Sequence, residues 1–293
     1  IGMHKTATTW FQRELYPKVT NYHYITQKQS QSLLIDPRGL TFNPTKAADS
    51  LAVMNPRQLP LIFCNEELSG NIHNGGLHGF ATELIFQRVK KVFPQARIVV
   101  FLRNQLSMID SIYRQYVKEG GTRSSRRYLF SESKPHRIPN FAFGHLEYHR
   151  LVSYLYSLFG HDRVEDCLFE EFLQDQRRFV NSFVERFNFQ VDIDGLQWRS
   201  RNRSYSRPVL RLARMANIFT RFDVHNKYYL MSLPGWYRIS RKLLAGVDRI
   251  AVRKNKSRSV LSPSTRKYIE NYYRSSNQSL MELTGLGLTK YGY

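Results

Sequence analysis

Arg97-Ile98-Val99-Val100-Phe101-Leu102-Arg103 limits what this chain can fold into more than any other stretch. Five apolar residues in a row, three of them β-branched, leave a strand no polar face, so it must be covered on both sides. Leu59-Pro60-Leu61-Ile62-Phe63-Cys64 and the start of residues 163–173 are short apolar runs of the same kind and read as further buried strands. Between them the period becomes helical. Phe80, Leu84, Ile85, Val89 and Val92 share one face within residues 79–93, before Pro94, and residues 141–159 keep helical spacing up to Gly160. Residues 27–35 and 46–54 are also helix-like, on either side of the turn Pro37-Arg38-Gly39. The repeated alternation of strand, loop and helix predicts an α/β protein with a central parallel β-sheet flanked by helices and a helix-rich C-terminal part. With 293 residues and 42% hydrophobic content, one large core is affordable, and a single domain over residues 1–293 is expected.

Forty-four Lys and Arg against 23 Asp and Glu give a formal net charge of +21, which predicts an anionic partner. No zinc-finger, basic-zipper or RNP-type signature accompanies this charge, so the partner is not expected to be nucleic acid. No stretch approaches the roughly 20 uncharged apolar residues that span a bilayer, and no signal peptide is visible, so a cytoplasmic protein without an integral membrane segment is expected. Because the chain begins at Ile1 rather than Met, upstream residues are expected as well, such as a strand feeding the first loop or a targeting segment. Cys64 and Cys167 each sit in an apolar run without metal-like spacing and read as small core residues.

The first ten residues hold the densest chemistry. Lys5-Thr6-Ala7-Thr8-Thr9-Trp10 runs directly into the periodic segment Phe11-Gln12-Arg13-Glu14-Leu15, a turn that opens a helix. Free backbone N–H groups and the positive end of the helix dipole favour an anion there. A nucleoside-triphosphatase loop would need a glycine directly before the Lys-Thr pair, where this chain has His4. Standing alone, the motif would read as a threonine-rich N-cap with an incidental lysine. A second feature lies far along the chain: Arg103 ends its strand and Ser111 follows eight residues later, one to two turns into the next helix. That spacing brings a guanidinium and a hydroxyl onto one phosphate.

The two features together, in this order, resemble the sulfotransferase family. Lys5 to Trp10 is similar to its 5′-phosphosulfate loop, with Ala7 in place of a usual glycine, and Arg103 with Ser111 is similar to its 3′-phosphate motif. The alanine is expected to be tolerated where φ is negative. Residues 163–173 resemble the family's "Tyr-Glu-Asp-Leu" region, with Phe169 and Glu171 as departures, and Glu170 is expected to orient neighbouring groups. The tail, residues 261–293, ends in Leu288-Thr289-Lys290-Tyr291-Gly292-Tyr293 and looks like the C-terminus of bacterial members acting on carbohydrates.

The resemblance implies transfer of a sulfuryl group from 3′-phosphoadenosine 5′-phosphosulfate to a hydroxyl or amine of a carbohydrate or polysaccharide acceptor, with no metal. It implies that Lys5 stabilises the leaving oxygen, that Thr6, Ala7, Thr8 and Thr9 hold the 5′-phosphate, and that Trp10 lies near the adenine. Arg103 and Ser111 would take the 3′-phosphate, and Arg201 with Asn202, in the basic run 199–207, would close over the donor. Glu66, just after a predicted strand, is the first choice of general base, with Glu67, His73 and His78 as alternatives. Residues 118–139, rich in Gly, Ser and Arg, read as a surface loop or an acceptor lid. The stretches 208–220 and 239–252 are basic amphipathic helices, suited to packing on the domain or to a membrane surface. Two other functions compete: a nucleotide kinase with a degenerate loop, and a non-catalytic basic module binding nucleic acid or membrane surfaces.

Overall fold

The structure is a computed structural model and describes residues 3–37, 39–73, 80–131, 139–198, 205–222, 229–252 and 259–293. Helix α1 (Thr8–Trp10) widens at once into a π turn, Phe11–Leu15. There follow β1 (His23–Ile25), α2 (Gln27–Ser30), α3 (Pro44–Met54), β2 (Leu61–Phe63), α4 (Phe80–Val92), β3 (Ile98–Leu102) and α5 (Gln105–Lys118). The chain continues through α6 (Ser125–Leu129), α7 (Tyr148–Phe159), β4 (Val164–Leu168), α8 (Phe169–Gln174) and α9 (Gln176–Arg186). The last helices are α10 (Arg207–Ala216), α11 (Trp236–Val252) and α12 (Pro263–Thr284).

The helices start where local chemistry tells them to. Asn104 caps α5 by accepting from Ser107 N–H, and Asn43 does the same for α3 through Lys46. Thr26 and Gln29 form a reciprocal capping box on α2. Helix α12 has Ser262 as its cap, Pro263 in its first turn and Gly285 at φ 70 after its end.

The strands pair in parallel, β1 with β2 and β3 with β4, with Ile25 opposite Phe63 and Phe101 opposite Cys167. The expected central sheet is therefore described as two parallel ribbons. An apolar cavity of about 790 Å³, lined by Ile62, Phe63, Val92, Phe93, Ile98 and Val99 among others, lies against β2 and β3. Met3 approaches β3 from the first loop, its N–H donating to Phe101 O at 3.3 Å.

Strand β3 is covered on both faces, as its unbroken apolar run requires. Val100 and Leu102 enter a core shared with Phe86, Ile109, Val152 and Tyr273. Phe101 points the other way, into an aromatic cluster with Phe11, Phe172 and Phe183. Each fully buried side chain of this size contributes roughly 1.5–3 kcal/mol. Both cysteines are buried and free, and burial pushes their thiols up to about 12.

Two local readings change. Strand β1 sits in a stretch that shows no strand pattern, because three residues are too few to display a period. Residues 118–139 hold a helix, α6, capped by Ser124 and anchored by the buried Tyr128 and Leu129, while 132–138 lie outside the described residues. No helix is long and apolar enough to cross a membrane among the described residues.

Candidate active site

The C-terminal ends of three strands open onto one cleft of about 560 Å³. Glu66 follows β2, Arg103 follows β3, and Phe169 follows β4; all three line it, together with Lys5, Thr8 and Trp10 of the first loop and Ser111 of α5. Five cations, Lys5, Arg13, Arg103, Arg114 and Lys118, face three carboxylates, Glu14, Glu66 and Glu119. The balance suits an anionic ligand.

The loop turns against its own backbone strain and is held by Arg103. Lys5 and Ala7 both have positive φ, 68 and 63, which turns the backbone sharply into α1. The expectation of a negative φ at Ala7 is thus overturned: the residue occupies the left-handed region where glycine carries no Cβ penalty. Ala7 O accepts from Trp10 N–H at 2.7 Å and from Phe11 N–H at 3.3 Å, so the strained turn starts the helix. Arg103 donates from Nη1 to Lys5 O at 2.8 Å and from Nε to Ser107 Oγ at 2.9 Å, and its guanidinium lies 4.9 Å over the Phe169 ring.

The three threonines differ. Thr6 is buried, does not line the cleft and donates its hydroxyl to Met3 O at 2.5 Å, so its side chain braces the loop. Thr8 Oγ1 is buried in the cleft wall with no hydrogen-bond partner. A buried hydroxyl in that condition is an unmet demand for a polar ligand. Thr9 lines the cleft beside it. Trp10 stacks on Trp198 at 5.4 Å and donates Nε1–H to Gln197 O at 2.8 Å, presenting an aromatic wall.

The end of β3 is pinned from several sides. Tyr148 Oη donates to Arg103 O at 2.8 Å. Glu170 accepts from Asn104 N–H at 2.9 Å and from Tyr293 Oη at 3.1 Å, an orienting contact of the kind expected for that carboxylate. Asn104 also donates its side-chain amide to Gly292 O, so the chain's last residues close on the same junction.

The candidate bases separate clearly. Glu66 lines the cleft and accepts from Gln12 Nε2 at 3.2 Å. Glu67 is not among the residues lining the cleft; it accepts from Asn71 and lies 3.8 Å from His4, and burial raises its pKa. His73 is buried between Tyr128 Oη at 2.8 Å and Glu119 Oε2 at 3.0 Å. His78, Arg201 and Asn202 lie outside the described residues.

Glu119 is one of the cleft residues that sequence reasoning missed. It stands just past α5, in a stretch that reads as a loop, and no motif marks it. Burial alone would raise its pKa, but hydrogen bonds from His73 and Gln115 and the nearby charge of Lys5 outweigh that and hold it below the ordinary carboxylate range. Lys5 feels the reverse: burial lowers its pKa, and Glu119 is the strongest charge opposing that shift, ahead of Glu66. Among the described residues no group of three or more His, Cys, Asp or Glu side chains is placed to hold a metal ion.

Strand pairs in parallel, helices around them and a cleft at the strand ends define a parallel α/β architecture. Among solved structures, the chain is similar to the crystal structure of a sulfotransferase from Alicyclobacillus acidocaldarius, at 16% identity and a TM-score of 0.58, over 100% of this chain and 97% of that one. At that identity the likeness is one of fold alone. No known family profile and no curated protein matches the chain.

Proposed function

We propose that this chain is a sulfotransferase using 3′-phosphoadenosine 5′-phosphosulfate, with a carbohydrate acceptor. The observation that carries the reading is that Lys5, Arg103, Ser111 and the unpartnered hydroxyl of Thr8 all line one cleft. Their donors fit a nucleotide with a phosphate at each end, and the bound donor supplies the sulfuryl group. Thr8, Thr9 and the loop's backbone N–H groups hold the 5′-phosphate, and Arg103 with Ser111 holds the 3′-phosphate. Trp10 offers its ring to the base.

Glu66 takes the acceptor's proton while the acceptor oxygen bonds to sulfur and the bond from sulfur to the 5′-phosphate oxygen breaks. Lys5, whose ammonium Glu119 favours against the cost of burial, neutralises the charge that grows on that oxygen. Gln12 orients the Glu66 carboxylate by its hydrogen bond. The polar side of the cleft, with Arg114, Gln115 and Tyr237, suits a hydroxyl-rich acceptor.

Calorimetry with adenosine 3′,5′-bisphosphate tests the reading. The wild type is expected to bind, and Arg103→Ala to bind about tenfold or more weakly, the worth of a charge-assisted hydrogen bond. Lys5→Ala is expected to lose turnover of labelled donor onto a saccharide panel while keeping most of its affinity. A wild type that does not bind the bisphosphate would overturn the proposal.

A further inference from the structure

Of the eighteen large apolar side chains exposed among the described residues, eleven fall between Leu212 and Val247, so the surface apolarity is concentrated in one region. Helix α10 buries Val209, Leu210 and Ala213 and turns Leu212 and Met215 outward. Helix α11 buries Leu244 and presents Ile239, Leu243 and Val247, a stripe at i, i+4 and i+8 exposed by 52%, 61% and 44%. The segment before α11 joins the two helices: Leu230 N–H donates to Ile218 O, Leu233 N–H to Phe219 O, and Trp236 Nε1–H to Ala216 O. Leu230 and Met231 in that segment are 64% and 52% exposed.

The same stretch is strongly basic. Residues 205–247 contain eight Lys and Arg and one acidic residue, Asp223. Arg211, Arg238 and Lys242 are exposed on the two helices beside the apolar stripes. Apolar side chains flanked by long cations, on helices too short and too charged to span a bilayer, match the requirements of an anionic lipid surface: the apolar groups enter the headgroup boundary while the cations reach the phosphates. A second copy of the chain is a poor occupant, because it would bring another equally basic face against this one.

We propose that the α10–α11 face docks the protein onto anionic membranes. The face is tied to the cleft through Tyr205, just before α10, and Tyr237, in the first turn of α11, both of which line it, and Tyr237 Oη donates to Lys118 O at 3.1 Å. Docking therefore sets the cleft beside a lipid surface. The assignment does not depend on the chemistry proposed for that cleft.

Co-sedimentation of the purified chain with vesicles tests it. Vesicles of phosphatidylcholine mixed with phosphatidylglycerol are expected to carry the protein down, and vesicles of phosphatidylcholine alone are not. Lys242→Gln is expected to lower partitioning about fivefold, the worth of one cation near a charged surface, and Leu243→Glu more than about tenfold. Both positions are exposed, so thermal melting should match the wild type. Absence of binding to either vesicle overturns the proposal, as does equal binding to both. Lipid-free self-association that Leu243→Glu abolishes, or retention of vesicle binding in that variant, also overturns it. Adenosine 3′,5′-bisphosphate binding, measured in parallel, fails or succeeds separately and reports on the cleft alone.

Discussion

Ala7 sits at φ 63 and ψ 14, a conformation in which its Cβ crowds the following carbonyl. Glycine there is expected to stabilise the chain by about 1 kcal/mol, less whatever the more flexible unfolded chain takes back. Urea denaturation of Ala7→Gly checks this, and a lower midpoint than wild type would refute the strain argument. Lys5, two residues earlier, yields a pH prediction. Burial lowers its pKa and Glu119 opposes that, so activity that needs the ammonium should fall, as pH rises, at a lower pH than an ordinary lysine would give. Removing the opposing charge in Glu119→Gln should move this falling limb further down, whereas Glu66→Gln should chiefly lower the maximum rate; pH–rate profiles of the two variants separate the roles. The legibility of these residues differs for a physical reason. Lys5, Glu66 and Arg103 follow loop or strand signals in the local sequence, so the sequence names them. Glu119 meets His73 and the charge of Lys5, partners from distant segments that only the folded chain brings together.

Helices and turns carry the next predictions. Helix α12 joins α5 through a buried pair, Gln105 Nε2 to Asn277 Oδ1 at 2.6 Å and Asn277 Nδ2 to Gln105 Oε1 at 3.2 Å. Asn277→Leu leaves the Gln105 amide without that partner in a buried site and is expected to cost about 1–3 kcal/mol in chemical denaturation. In the 3-10 turn Phe143–Leu146, His145 is half-buried with its Nε2 shielded from solvent and without a partner, and this desolvation lowers its pKa to about 4. The unfolded imidazole, at 6.5, binds protons that the folded one refuses, so stability is whole above pH 6.5 and falls as pH drops toward 4. The loss is on the order of 3 kcal/mol, and His145→Phe should flatten that limb of a stability-against-pH curve. At this scale the long periodic segments were readable: α4, α7 and strands β3 and β4 all fall where apolar spacing puts them. Helix α6 was not, because its five residues are mostly polar and Tyr128 and Leu129 become core only by packing against distant partners. The single sheet expected from alternation is described as two ribbons, since period alone fixes that strands are buried and not which strand neighbours which.

Across the whole molecule, a net charge of +21 surrounds a cleft in which cations already outnumber carboxylates. Field lines from the surface converge on such a concavity, so an anionic nucleotide should arrive faster than neutral diffusion allows, and salt should slow its arrival. Screening acts over about 8 Å at physiological ionic strength, so groups inside the cleft keep their hold while distant ones lose theirs. Stopped-flow binding of adenosine 3′,5′-bisphosphate is therefore expected to show an association rate that falls about tenfold or more from low to physiological salt. The dissociation rate should change much less, because contacts such as those of Arg103 are partly desolvated. Lys91 tests the division of labour: it is exposed at the C-terminal end of α4, just ahead of the N-terminal end of β3, whereas the cleft opens at the strand's other end. Lys91→Gln should slow association slightly at low salt and have no effect at physiological salt, whereas Arg103→Ala should raise the dissociation rate at both. An association rate indifferent to salt would mean that the surface charge serves another partner, such as the lipid surface proposed for the α10–α11 face, and that the cleft recruits its ligand by contact alone.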